Sequence, residues 1–348
     1  MDKDNRHATT SFPPARILGI ETSCDETAAA IVENGRALLS SVVTSQIDLH
    51  AKYGGVFPEV ASRQHILTIY GVVEQALQQA HMSLKDIDAI AVTRGPGLAG
   101  SLVVGVNYAK GLALAEGLPL IGVNHLEGHI YSAWVYPADV VEPPPAPRFP
   151  LLALLISGGH SELNLMYDHL TYEHLGATLD DAAVDKVARL LGLPYPGGPA
   201  IQKAAINGNP HAFNFPRARL EGSWNFSFSG LKTAVLRVVR QFEAKKQELP
   251  VEDLAASFQA AVVDVLVTKT FQAARKYKAK EILVAGGVSA NRAVRTAFLE
   301  QNEFPVHIPA LSLCTDNAAM IAAAGYFRYA LGKHDSLDMD VLPTWPLL

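Results

Sequence analysis

The sequence predicts an α/β chain made of two copies of one unit, with a ligand cleft between the copies. Three observations carry that expectation. The chain has 348 residues, above the size at which one hydrophobic core stops growing, so two lobes are the default. Its halves repeat a plan: three β-rich runs in succession, then helical patterns, then a buried strand leading through a glycine-rich turn into a helix. A tight polar turn follows the first strand of each half, Thr22 to Glu26 and Ser157 to His160, and duplication sets these turns opposite one another.

Residues 1–15 are polar, lack the apolar core of a signal peptide, and read as a flexible leader. RILGIET from Arg16, TAAAIVE and RALLSSVVTS then form a meander, with Asn34-Gly35 as the hairpin signal. From Glu59 to Ala80 the residues Val60, Ile66, Ile69, Val73 and Leu77 recur at helical spacing, predicting a helix with that stripe inward. The buried strand AIAVTRG runs through GPGLAG into a helix, and PLIGVN makes a short strand before a helix at NHLEGH. VEPPPAPRFP, residues 141–150, suits neither a helix nor a central strand and reads as a linker or exposed insertion. The pattern then restarts with LLALLIS, SELNLMYD and TYEHLGAT. A long amphipathic helix follows near Glu252 to Tyr277, then EILVAGG, the helix SANRAVRTAFLE, the strand PVHIP and a last helix from Thr315 to about Leu331. The expected division is an N-terminal lobe over 16–140, a C-terminal lobe over 151–314, a last helix over 315–332 returning to the cleft and the N-terminal lobe, and a tail over 333–348.

Composition excludes several classes. With 49% hydrophobic residues the chain is not disordered as a whole. Two cysteines cannot build a disulfide framework, which points to a reducing, cytoplasmic compartment. The apolar runs are too short to span a bilayer as sequence segments, so no membrane association is expected. A net charge of −5 argues against electrostatic coating of nucleic acid, without excluding a local RNA-binding patch.

His125 and His129 stand four apart in NHLEGH, which on a helix puts both imidazoles on one face within reach of one metal ion. Glu127 between them points away from that face, so the metalloprotease pattern H-E-x-x-H is not met. Two histidines need a third ligand, and Asp316 in CTDNAAMIAAAG is the best candidate, although an Asp there reads equally as a helix N-cap. Two imidazoles and a carboxylate leave positions open for water or substrate and permit Fe(II), Zn or Mn. The three glycine-rich turns, at Gly95–Gly100, Gly158–Gly159 and Gly286–Gly287, offer backbone N–H groups that can ring a phosphorylated ligand. Asp180, Asp181 and Asp185 are expected on one helix, where Asp185 suits a ribose diol. Ser229 and Lys232 in SFSGLKTAV suit an anionic group or a plain helix start. Cys24 and Cys314 have no histidine partner in sequence and are not expected to be nucleophiles.

Nine motifs in order, LGIETSCDETAAAIV, YGGVFPEVASRQH, TRGPGLAGSLVVG, NHLEGH, ISGGHSEL, DDAAVDKVARLLGLPYPGGP, FSFSGLKTA, LVAGGVSANRAVR and CTDNAAMIAAAG, run from about Ile17 to Gly332. Together they resemble the TsaD family, the tRNA-adenosine threonylcarbamoyltransferases formerly described as sialoglycoprotein endopeptidases. The resemblance implies the duplicated actin, Hsp70 and sugar-kinase fold. It matches the metal ligands to His125, His129 and Asp316, with Fe(II) favoured and Zn possible. It matches substrate contacts to Leu155, Ile156, Ser157, Gly158, Gly159, Asp185, Gly198 and Asn291. It implies transfer from threonylcarbamoyl-AMP to the adenosine 3′ of the anticodon, and as partners tRNA, a smaller paralogue of the TsaB type and a P-loop ATPase of the TsaE type. Phe57 departs from the family, standing where a smaller aliphatic is usual, and the proline-rich segment lengthens a connection. No general base stands out; Asp25 and Glu26, in the first polar turn, are the candidates. Three other readings compete: a metallopeptidase, a non-catalytic ATP-binding scaffold of the same fold, and a sugar kinase.

Overall fold

The computed structural model describes residues 12–347 apart from 159, 181, 182, 219 and 221. The first meander is β1 (Arg16–Glu21), β2 (Glu26–Glu33) and β3 (Ala37–Ser45). Asn34 and Gly35, at φ 54° and 69°, form its hairpin turn. A short α1 (Ile47–Ala51) leads to α2 (Pro58–Gln79), then β4 (Ala89–Gly95), α3 (Ala99–Glu116), β5 (Leu120–Asn124), α4 (His125–Tyr131) and β6 (Tyr136–Pro137). The second meander is β7 (Leu151–Ile156), β8 (Ser161–Asp168) and β9 (Thr171–Ala177). It is followed by α5 (Ala183–Leu190), α6 (Gly197–Ala204), α7 (Ser229–Ala244), α8 (Val251–Tyr277), β10 (Glu281–Ala285), α9 (Arg292–Leu299), β11 (Val306–His307) and α10 (Ala318–Ala330).

The duplication is visible in strand order. One sheet runs β5-β4-β1-β2-β3-β6 and the other β11-β10-β7-β8-β9. In each, an antiparallel meander is extended from its first strand by parallel strands, β1 with β4 and β7 with β10. Ligands in such sheets gather beyond the carboxyl ends of the parallel strands, where both polar turns lie.

A shared core joins the lobes. The alanine-rich α10 is buried with β1, β4 and α4 in one apolar cluster that also takes in Leu151, Ala153 and Leu155 of β7 and Leu283 of β10. Small residues make this close approach possible: a methyl group added at Gly19 would lie 2.3 Å from the Ala318 carbonyl. The long α8 is apolar enough to cross a membrane by length and composition, but most of its apolar stretch is buried in the second lobe.

The structure corrects several expectations. Ile66 is exposed, and His65 takes the inward position instead, its Nδ1 2.8 Å from Thr27 Oγ1 and its Nε2 3.0 Å from the Cys24 carbonyl. That carbonyl can only accept, so Nε2 carries the proton. The last helix begins at Ala318, with Asn317 as N-cap accepting from Met320 N at 3.0 Å; Asp316 lies outside the helix and is not its cap. Asp180 precedes α5 and does not share its helix with Asp185, while Asp181 lies outside the described residues. Within the expected leader, residues 12–15 are packed: Phe12 meets the rings of His169, Tyr326 and Phe327, and Ala15 is buried. The proline-rich segment is tied to both lobes, through Arg36 to the Pro144 carbonyl and through Arg148 Nε to Glu281 at 2.5 Å.

Candidate active site

The helix α4 starts where β5 ends, and Asn124 caps it by accepting from Leu126 N at 2.9 Å. His125 and His129 therefore fall one turn apart on the same face, as their spacing requires. Across from them stands Asp316, its Oδ1 3.5 Å from His125 Nε2 and 3.2 Å from His129 Nε2. One ligand atom from each of the three lies within 4.8 Å of the others, a cluster able to hold a metal ion. Glu127 is turned away and buried, bound by Arg328 of α10 through Nε at 2.7 Å and Nη2 at 3.0 Å.

A fourth residue, missed in the sequence, completes the arrangement. Glu21, fully buried at the end of β1, accepts from His125 Nδ1 at 3.0 Å, from Thr93 Oγ1 at 2.6 Å and from Ser23 N at 2.5 Å. A carboxylate can only accept, so Nδ1 is protonated and Nε2 is the nitrogen turned toward Asp316, the orientation in which a carboxylate-backed histidine would offer Nε2 to a metal ion. The only sequence signal was a charged residue ending an apolar strand. Burial disfavours charge on His125, yet Asp316 and Glu21 outweigh it and raise its pKa well above the ordinary value. Burial likewise opposes ionisation of Asp316, and His125 and His129 overcome that, holding its carboxyl far below the usual range. The donor set is thus arranged for a divalent cation of borderline softness.

Around this centre lie the polar turns. Burial, then Asp316 and Asp25, push Glu26 up to about 9, and Ser45 Oγ donates to it at 3.1 Å. Burial and Asp25 also raise the Cys24 thiol, so Cys24 is no nucleophile at neutral pH. Burial, then the charges of Asp25 and Asp185, push the Tyr195 phenol up to about 12.

On the C-terminal side, Ser157 and Gly158 follow β7 beside Asp185, whose Oδ1 accepts from Gly197 N at 3.0 Å. A methyl group added at Gly158 would meet only Asp185 Oδ2, at 3.8 Å, and at Gly198 or Gly287 it would meet open space. These backbones are accessible to a ligand. Leu155 and Ile156 have buried side chains and present only main chain. Asn291 is brought to the start of α9, where its Oδ1 accepts from Ala293 N and Val294 N and its Nδ2 donates to Gln259. Gly159 lies outside the described residues. The turn at Gly95–Gly100 is not an open phosphate cradle: Gly97 N donates to the Pro343 carbonyl, and a methyl group at Gly95 would lie 1.8 Å from the Leu342 carbonyl. The start of α7 is likewise filled, because the Asp180 carboxylate accepts from Phe228 N, Ser229 N and Ser227 Oγ.

Comparison with known proteins agrees with this architecture. HypF of T. kodakarensis has the same fold at TM-score 0.60 and 14% identity, over 92% of this chain and 48% of that one. The (R)-2-hydroxyglutaryl-CoA dehydratase component A of Acidaminococcus fermentans aligns at TM-score 0.50 and 15% identity, over 91% of this chain and 99% of that one. Both share the duplicated actin-like fold. A family model described as TsaD, tRNA N6-adenosine threonylcarbamoyltransferase, matches residues 37–323. Curated tRNA N6-adenosine threonylcarbamoyltransferases are similar over nearly the whole length. One from Dehalococcoides mccartyi is 56% identical over 94% of this chain and 98% of its own, and one from Bacillus subtilis is 54% identical over 94% of each. Family model and full-length relatives together place this chain in the TsaD family of transferases that modify tRNA adenosine.

Proposed function

We propose that this chain transfers the threonylcarbamoyl group of threonylcarbamoyl-AMP to the exocyclic amine of the adenosine 3′ of the anticodon, position 37, in tRNAs reading codons that begin with adenine. The observation that carries the reading is the His125, His129 and Asp316 cluster, backed by Glu21. The donor already contains a mixed anhydride with AMP as leaving group, so no covalent enzyme intermediate is needed. The amine nitrogen forms a bond to the carbamoyl carbon, the bond from that carbon to the phosphate oxygen breaks, and the amine gives up a proton.

The residues divide the work. A divalent ion held by His125, His129 and Asp316, with Fe(II) favoured and Zn possible, supplies Lewis acidity toward the oxygens that gain charge. The N–H groups of Gly158 and Gly159, with open backbone at Gly198, are proposed to bind the phosphate and its surroundings. Ser157 and the main chain of Leu155 and Ile156 line the same turn, Asp185 is proposed to take a ribose hydroxyl, and Asn291 to shape the nucleoside end. Asp25 and Glu26 are the candidate proton acceptors. A paralogous TsaB-type subunit and a TsaE-type ATPase are proposed partners. Exposed Ile66, Leu67 and Tyr70 on α2 form an apolar face of the kind a subunit covers. A cytoplasmic location fits two free cysteines.

The test is direct. Unmodified tRNA is incubated with synthetic threonylcarbamoyl-AMP, the metal-loaded chain and its partners, and the nucleosides are analysed by mass spectrometry. Threonylcarbamoyladenosine is expected; its absence under every partner combination overturns the reading. A peptidase is disfavoured, because Glu127, the one glutamate in the histidine motif, is buried and bound to Arg328.

A further inference from the structure

We infer that the groove between α5 and α7 is the surface on which this chain holds the phosphate backbone of its RNA substrate. The inference rests on the proposed function and adds where the tRNA lies. The groove encloses about 290 Å³ and is lined by Lys186, Arg189, Leu190, Lys232, Thr233 and Leu236. None of these residues is acidic. On α7 the cationic face continues outward through exposed Arg237 and Arg240. Among the described residues, Arg189, Lys232, Arg237 and Arg240 form no ion pair within the chain. Their charges face solvent uncompensated in a protein whose net charge is −5, so the basic character is local.

Placement relative to the site gives the groove its meaning. Asp185, one residue before Lys186, lies against Gly158 and Gly197, so α5 begins at the candidate substrate turn. Phe228, one residue before α7, lines the small cavity beside Ile156, Ser157 and Gly158. Both helices therefore start at the site and carry their cations away from it. A nucleoside reacting at the site belongs to a chain whose next phosphates must leave along some wall, and this wall is lined by guanidinium and ammonium groups with a partly apolar floor. Arg pairs with phosphate in two-point hydrogen bonds and Lys as a point charge, without reading sequence.

The experiment uses the full-length chain with its partner subunits and unmodified tRNA. Arg189→Glu with Lys232→Glu, and separately Arg237→Glu with Arg240→Glu, are compared with a control at two exposed lysines just beyond α8, Lys278→Glu with Lys280→Glu. Steady-state transfer from synthetic threonylcarbamoyl-AMP and equilibrium tRNA binding are measured across a salt series. The groove variants are expected to raise KM for tRNA about tenfold or more while kcat at saturating tRNA and KM for the adenylate stay within about threefold. The slope of log affinity against log salt should flatten by about 0.7 to 0.9 for each phosphate that is no longer neutralised. All substitutions but that of half-buried Lys232 are at exposed positions, and unchanged circular dichroism and melting temperature verify folding. An unaltered KM and slope in the groove variants, with wild type active, overturn the groove and leave the functional reading standing. An equal effect in the control overturns it too, since bulk charge would then be the cause. Lost association with a protein subunit at unchanged tRNA affinity reassigns the groove to protein and also overturns it. A wild type that transfers nothing under any condition is instead the failure of the functional reading.

Discussion

Glu21 has the least replaceable environment of any residue in the centre. A carboxylate buried at a strand end costs several kcal/mol unless its oxygens are satisfied, and here the Thr93 hydroxyl, the Ser23 amide and His125 all donate to it. Its service is to fix which His125 nitrogen faces the cluster. Glu21→Gln keeps the size but removes the charge that backs the imidazole, and a flipped amide would present a donor to Nδ1. Metal affinity is expected to fall about 10- to 100-fold with the fold intact, the usual cost of losing such a partner; titration calorimetry with a divalent ion measures it, and unchanged affinity would remove Glu21 from the centre. A second residue, His169, is stacked on Phe327 with centroids 3.9 Å apart and packed among Tyr131, Trp134 and Phe149. Burial lowers its pKa to about 4. The unfolded chain takes up that proton near pH 6.5 and the native state only near 4, so the unfolded state binds more protons in between. The contribution of neutral His169 is thus complete above about 6.5 and declines as pH falls toward 4. Urea unfolding from pH 7 to 4.5 should show this acid-side loss in wild type and a shallower one in His169→Phe, which keeps the aromatic stack.

At the scale of elements, what was legible depended on how local the signal was. The meanders, the Asn34-Gly35 turn and the two-histidine face of α4 follow from short spacings and could be read directly. The role of Asp316 was legible only as an even choice between ligand and cap, and Asn317 takes the cap. Glu21, 104 residues from His125, carried no local pattern that named its partner. Ile66 misled because helical periodicity treats His65 as polar, whereas Thr27 and the Cys24 carbonyl satisfy it inside. The glycines at 95 and 97 looked like a phosphate turn and instead admit the C-terminal tail. That tail straps α4, the helix of the candidate metal cluster. Leu342 N donates to the Arg94 carbonyl at 2.8 Å, and Asn124 Nδ2 donates to the Trp345 carbonyl at 3.2 Å. The Trp345 ring lies by the guanidiniums of Arg94 and Arg328, at 5.8 and 6.0 Å. Since Asn124 also caps α4, the strap steadies the helix that carries both histidines. A chain ending at Val341 is expected to lose about 2 kcal/mol or more, at roughly 1 kcal/mol for each hydrogen bond removed, and to bind metal more weakly. Denaturant unfolding and metal titration check both; an intact metal affinity would confine the tail to stability.

For the whole molecule, the duplicated sheets share one core through α10, and the candidate metal cluster lies on the elements that border it, α4 and the approach to α10. His125 and His129 come from the helix after β5, while Asp316 arrives from the far end of the chain just before α10. No unfolded chain holds those three donors together, so an ion that binds them binds the native state almost alone. Linkage then makes metal a stabiliser: free ion at 100 times its dissociation constant adds about 2.7 kcal/mol. Thermal unfolding of the chelator-stripped chain should therefore shift upward by several degrees on adding a divalent ion, rising logarithmically once the ion exceeds its dissociation constant. In His129→Ala or Asp316→Asn, each one ligand short, the same addition should move the transition little, whatever the starting stability of the variant. The control matters because Asp316→Asn also removes a half-buried charge and can change the baseline on its own. The response to metal, measured within each variant, cancels that baseline. An upward shift of equal size in wild type and both variants would mean that the ion acts elsewhere, and the three residues would no longer account for metal binding.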